Sequence, residues 1–181
     1  KIRDWPTNNS HRSAIAEALE PFIDDKHDDD ETQVESLLRE RRFIVLQGPP
    51  GSGKTRLAKA VVEKIGAKSF FTQFHAETSY SDFIYGIRPG LDDNDLKYVK
   101  NLGVFARAVD HAIKNQNEET VLIIDEINRA NLSNVLGPIF YLFEHKMDLS
   151  NVEIEITPDL HIAKLPDNFS VIATMNTADR S

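Results

Sequence analysis

Short apolar runs alternating with stretches of helical periodicity organise this chain. Phe43, Ile44, Val45 and Leu46 form a continuous apolar run that stops at Gly48, a pattern that predicts a strand buried on both faces, as in a parallel sheet. Leu57, Ala58, Val61, Val62 and Ile65 then recur at helical spacing, and Gly66 follows as a natural left-handed cap. Ser69 to Phe74, rich in Phe and Thr, predicts a second strand. Gly86, Pro89 and Gly90 read as a loop. Leu102, Phe105, Val109 and Ile113, with Ala106 and Ala112 beside them, step by three and four, which predicts an amphipathic helix. Val121 to Ile124 is a third strand, and Val135 to Phe143 continue a helix that begins near Ala130. Val152, Ile154 and Ile156 alternate with Glu153 and Glu155, and Leu160, Ile162 and Leu165 follow at near-alternating spacing, so the economical reading is a hairpin. Phe169 to Met175 predicts the last strand. Strand and helix alternate throughout, and the expected class is α/β with a mainly parallel sheet flanked by helices.

The first 42 residues are different. They are polar and broken, with weak helical patterns at Ala14, Ile15, Ala18, Leu19 and Phe22 and again at Val34, Leu37 and Leu38. Between these patterns, Asp24 to Glu31 reads as a solvated acidic loop. The expected division is therefore a helical linker segment over residues 1–42 and a core over residues 43–181.

Composition narrows the function classes. The chain has 181 residues, 40% of them hydrophobic, which is enough for about one domain with a full core. It has no cysteine, so disulfides, zinc-thiolate sites and a cysteine nucleophile are excluded. No apolar run reaches the ~18 residues that span a bilayer, and no signal peptide opens the chain, so the expectation is a cytoplasmic protein with no membrane partner. A formal net charge of −8 argues against this segment coating nucleic-acid phosphates unaided.

The chemistry begins directly after the first strand. Gly48-Pro49-Pro50-Gly51-Ser52-Gly53-Lys54-Thr55 fits G-x-x-x-x-G-K-[ST] at every fixed position, between a predicted strand and a predicted helix. The glycines allow backbone N–H groups to converge on phosphates without a Cβ in the way, and the new helix aims its positive end at the same charge. Lys54 is expected to reach the β- and γ-phosphates, Thr55 to offer its hydroxyl to Mg²⁺, and Arg56 to complete the nucleotide-binding stretch. A dinucleotide-binding turn is disfavoured, because Lys54 and Thr55 follow the second glycine of the only candidate pair.

Val121-Leu122-Ile123-Ile124-Asp125-Glu126 places two acids at the carboxyl end of a predicted parallel strand, where open α/β sheets bind ligands. In a P-loop protein the first acid, Asp125, holds Mg²⁺, and Glu126 orients or deprotonates the attacking water. Asn176 closes the last strand as a candidate contact to the γ-phosphate or the lytic water; an alternative role is to cap a turn. Asn176-Thr177-Ala178-Asp179 also resembles the guanine-reading N-K-x-D motif. Thr177 replaces the required Lys, however, and the strand should aim at the γ-phosphate end rather than at the base. Together these residues predict an enzyme, a P-loop NTPase acting on the β–γ phosphoanhydride of GTP or ATP.

Four separated blocks carry a family resemblance: GPPGSGKT at 48–55; Phe74-His75 with Ser81-Asp82-Phe83 and Gly86-Ile87-Arg88-Pro89; DEINRAN at 125–131; and MNTADRS at 175–181. From about Phe43 onward the chain resembles the AAA+ motor domain of the McrB group, the GTP-hydrolysing subunits of modification-dependent restriction systems. Residues 1–42 carry no such likeness. The resemblance implies GTP, self-assembly into a hexamer-like ring, and a partner nuclease subunit of the McrC type, with DNA engaged indirectly or through another domain. It makes Asn128, Arg129, Asp179 and Arg180 candidates for interface or phosphate contacts, a plain surface salt bridge or polar contact being the alternative for Asn128, Arg129 and Arg180. It also suggests that the hairpin is a pore-facing insertion, against the simpler role of covering a sheet edge. The family continues past the MNTADR block with another strand, arginine fingers and a helical lid. A core ending at Ser181 is thus expected to be incomplete and a poor hydrolase alone. Two rivals remain at this level: an ATP-driven remodelling motor of the MoxR type, which shares the DEINRA block, and a nucleotide-gated scaffold in a defence system.

Overall fold

The apolar runs assemble into one parallel sheet with helices on both faces. The computed structural model describes residues 29–92, 95–143 and 153–177. Four strands, β1 (Phe43–Gly48), β2 (Lys68–Gln73), β5 (Thr120–Asp125) and β8 (Phe169–Asn176), are ordered β1-β8-β5-β2, and every neighbouring pair is parallel. The last strand in sequence is thus inserted beside the first, with Gly48 opposite Asn176. β5 and β8 occupy the centre and are buried along almost their whole length.

Burial on both faces was expected of β1 and is found instead for β5 and β8. Insertion of β8 between β1 and β5 leaves β1 at the edge of the described sheet, where Val45 is 55% exposed.

Alternate residues of β5 face opposite layers, as the period of two requires. Val121 and Ile123, with Ile172 of β8, pack against Ala58, Val61 and Val62 of helix α2 (Lys54–Lys64) and against Val34 and Leu38 of α1, the helix over 29–41. Leu122 and Ile124, with Val171 and Ala173, face helix α4 (Val104–Lys114) and an aromatic cluster. In that cluster Phe105 touches Phe83, Phe143 and Phe169, with ring centroids 5.5 to 6.0 Å apart. Burial of each such ring is worth about 1.5–3 kcal/mol over exposure.

Residues 29–31, expected in a solvated loop, are helical and belong to α1. The helical pattern over residues 14–22 lies outside the described residues. Arg42 fastens the far end of α1 to the sheet: its guanidinium donates to the carbonyls of Phe169, at 3.0 Å, and Pro166.

The segment read as a loop around Gly86, Pro89 and Gly90 forms an antiparallel hairpin, β3 (Tyr85–Asp92) with β4 (Asp95–Leu102), after the single-turn helix α3 (Tyr80–Phe83). Leu102 belongs to β4 rather than to the helix its spacing suggested. Gly103 makes this junction possible. Its N–H donates to the Ile84 carbonyl at 2.8 Å, and a Cβ there would sit 2.2 Å from the Phe83 carbonyl carbon.

The helix predicted from Ala130 to Phe143 is split. Asn131 caps α5 (Leu132–Leu136), Gly137 at φ 46° ends it, and a 3₁₀ segment over Gly137–Phe143 follows. The second hairpin is present as predicted, pairing β6 (Ile154–Thr157) with β7 (Leu160–Ile162), and Leu165 is buried beyond it; Val152 lies outside the described residues. Among the described residues no helix is long and apolar enough to cross a membrane.

Candidate active site

Gly48, Asp125 and Asn176 end three adjacent strands, so the topology alone brings the P-loop and both polar strand tips to one rim of the sheet. The loop from Gly48 to Gly53 needs left-handed backbone at two points, Gly51 at φ 76° and Gly53 at φ 82°, where a side chain would be strained. Gly53 then caps α2, accepting from Leu57 N–H at 2.9 Å, and the helix N-terminus opens toward the loop. Lys54 Nζ curls back over the loop, donating to the carbonyls of Gly48 (3.0 Å) and Pro49 (2.8 Å) and to Ser52 Oγ (3.3 Å).

Asp125 is the pivot of the site. Thr55 Oγ1 donates to its Oδ1 at 2.6 Å, and Thr174 Oγ1 donates to the same oxygen at 2.7 Å. Thr174 in turn accepts the backbone N–H of Glu126 at 3.0 Å, so one buried hydroxyl aligns both acids. No reading of the sequence assigned Thr174 a role. A threonine inside a strand is an ordinary β-former, and the only available signal was its place two residues before the strand tip.

Glu126 has a left-handed backbone, φ 54° and ψ 47°, unusual for a residue with a side chain. Asn176 Nδ2 donates to its Oε1 at 3.1 Å, and Arg129 Nε lies 2.8 Å from its Oε2. The second contact is an ion pair without hydrogen-bond alignment, and Oε2 is closed to solvent. Asn128 Nδ2 donates to the Asn176 carbonyl at 3.3 Å, while its own buried Oδ1 has no hydrogen-bond partner among the described residues. Asn128 and Arg129 share the 3₁₀ turn Ile127–Arg129.

A cavity of about 320 Å³ gathers these groups. Pro50, Gly51, Gly53, Lys54, Thr55 and Arg56 form one wall, and Asp125, Glu126, Thr174 and Asn176 the other. The structure thus brings together the P-loop, both acids and the strand-tip asparagine, with Asn128 and Arg129 adjoining. Asp179 and Arg180 lie outside the described residues. The second motif block stands apart. Phe74 and Phe83 are core residues, and Asp82 closes a capping box with Ser79 and pairs with Arg88. The Ser79 hydroxyl, foremost, holds the Asp82 carboxyl below its ordinary range, aided by the Ser79 N–H and Arg88.

A hard divalent cation suits the donors present. Thr55 and Asp125 offer oxygens 2.6 Å apart beside a phosphate cradle, the small protein contribution typical of Mg²⁺ shared with a nucleotide. Among the described residues no cluster of three or more His, Asp or Glu forms a cage that would bind metal without the nucleotide.

Residues 43–181 match the model of the AAA domain, dynein-related subfamily. The chain is 38% identical to the EcoKMcrB subunit of the type IV methyl-directed restriction enzyme of Escherichia coli (strain K12), over 83% of this chain and 34% of that protein. It is 29% identical to component YdiS of the type II restriction enzyme BsuMI of Bacillus subtilis (strain 168), over 77% of this chain and 52% of that protein. The chain therefore spans between a third and about half of these relatives. In fold it is similar to the crystal structure of a candidate ATPase from Cytophaga hutchinsonii, with a TM-score of 0.51 and 17% identity, covering 96% of this chain and 49% of that one.

Proposed function

From the premise that this chain belongs to the AAA domain family, dynein-related subfamily, we propose that its P-loop NTPase core hydrolyses GTP with Mg²⁺ to drive a partner nuclease in the restriction of modified DNA. One observation carries the hydrolytic reading: the hydroxyls of Thr55 and Thr174 converge on Asp125 while Asn176 holds Glu126, all lining one cavity with the P-loop.

In this reading the loop N–H groups and Lys54 bind the β- and γ-phosphates, and Lys54 exchanges its loop carbonyls for phosphate oxygens. Thr55 and Asp125 would hold the metal, which would supply positive charge to offset that of the phosphates. Glu126 orients a water and accepts its proton as the water oxygen bonds to the γ-phosphorus. The bond from that phosphorus to the β–γ bridging oxygen breaks, releasing a nucleoside diphosphate and phosphate. Asn176 stands beside Glu126 to orient the same water.

The names of the two restriction relatives support the nuclease-driving role, and the McrB-type sequence blocks support GTP, ring assembly and a McrC-type partner. Competition binding of GTP against ATP on the full-length protein, followed by phosphate release with and without Mg²⁺, tests the proposal. Preferential GTP binding and metal-dependent release are expected. Equal or tighter ATP binding would remove GTP from the reading, and binding without release would favour a nucleotide-gated scaffold.

A further inference from the structure

We infer that Arg129 is a positioning residue acting within its own chain: through its ion pair with Glu126 it fixes the direction in which that carboxylate presents Oε1, beside Asn176, to the nucleotide cavity. The inference rests on the reading of Glu126 as the water-activating group.

The backbone delivers Arg129 to Glu126. Left-handed geometry at a non-glycine residue is strained and persists where the surroundings over-determine it. At Glu126, φ 54° is not repaid by a side-chain cap on the turn that follows. What it does is fold residues 127–129 into a 3₁₀ turn, closed by Arg129 N–H donating to the Glu126 carbonyl at 2.9 Å. Side chains three apart on such a turn eclipse one another, so the guanidinium and the carboxylate meet with almost no loop to close.

The carboxylate is then gripped at both oxygens. Arg129 Nε is 2.8 Å from Oε2 and Asn176 Nδ2 is 3.1 Å from Oε1. Oε2 is shut off from solvent, and the water is therefore assigned to Oε1, the oxygen on the Asn176 side. The Arg129 side chain is 50% exposed and that of Glu126 18%, so the arginine grips from the outer flank and leaves the cavity side open. Asn128 ties the same turn to the Asn176 carbonyl at 3.3 Å, which makes the two grips parts of one bracket across the tips of β5 and β8. Without the arginine a three-torsion side chain regains its rotamers, and a displacement of the order of 1 Å at a catalytic group can cost about 100-fold in rate.

The test uses full-length protein carrying Arg129→Ala, Glu126→Gln, both together, and mixtures of the two single variants. Arg129→Ala is expected to lower kcat about 10- to 100-fold with nucleotide Kd changed by less than about threefold and the melting temperature unaltered. The double variant should be no slower than Glu126→Gln, and mixed assemblies no faster than the sum of their parts. If Glu126→Gln is inactive while Arg129→Ala keeps or raises kcat, the positioning role is overturned and Glu126 retains its own. Recovery of turnover on mixing would mean that Arg129 serves a neighbouring subunit's site, which also overturns the inference. Full turnover by Glu126→Gln would instead remove the reading on which the inference stands.

Discussion

Replacing Thr174 with Val keeps the shape of a side chain that is 1% exposed and removes only its hydroxyl. That hydroxyl makes two bonds, donating to Asp125 Oδ1 at 2.7 Å and accepting from Glu126 N–H at 3.0 Å. A hydrogen bond to a charged group contributes about 1.5–3 kcal/mol, and a buried N–H left without an acceptor costs about 1–3 kcal/mol. Both effects hang on one oxygen, and the added methyl returns about 0.8 kcal/mol of burial, so a net loss of about 2–5 kcal/mol is expected. Thr174→Ser is the control. It keeps the hydroxyl, loses one methyl, and should cost about 1 kcal/mol. Urea unfolding of the three proteins, with unchanged dependence on denaturant, should therefore rank wild type above Ser and Ser above Val. In melting temperature the Val variant should fall by roughly 4–20 °C. A buried strand position valued only for hydrophobicity would rank Val first. If Thr174→Val proves as stable as wild type, or more stable than Thr174→Ser, the claim that this hydroxyl aligns the two acids is refuted.

Leu38 is 4% exposed and packs with Val61, Val121 and Ile172, so Leu38→Ala should cost about 2–4 kcal/mol in chemical denaturation. A change below about 0.5 kcal/mol would mean that α1 is an appendage and not part of the core. Asp82 makes a pH-dependent contribution. Its folded pKa is depressed, so its stabilisation is present above the unfolded carboxylate value and is lost as pH falls through the folded one. Asp82→Asn should therefore be less stable than wild type at neutral pH, with the gap closing as pH falls below the ordinary carboxylate range in a denaturation series; a gap that is constant with pH contradicts this.

Much of the site was legible in the sequence because its geometry is local. A P-loop needs left-handed glycines at fixed spacing, and Gly51 and Gly53 stand there. The two acids follow four buried apolar residues, and that contrast marks a strand tip. The features that were missed depend on tertiary placement. Val45 is as apolar as Ile123, but only the strand order decides that one lies at an edge of the described sheet and the other at its centre. The β3–β4 hairpin went unread because Gly86, Pro89 and Gly90 are turn formers that here sit within a paired strand, outside the main sheet. Over residues 130–143 the apolar spacing is helical, yet Gly137 interrupts the helix. Thr174 and the Glu126–Arg129 pair become visible only when β8 lies beside β5 and the turn after Asp125 has a direction.

Phosphate release and nucleotide binding by full-length Glu126→Gln, measured side by side with Mg²⁺ present, decide whether Glu126 activates the attacking water. The amide keeps the size of the side chain and removes its capacity to accept a proton. Binding within about threefold of wild type and turnover reduced by at least about 100-fold are predicted, in line with the worth of a positioned general base. Undiminished turnover would contradict the assignment of Glu126, and with it the account of how this rim of the sheet performs hydrolysis.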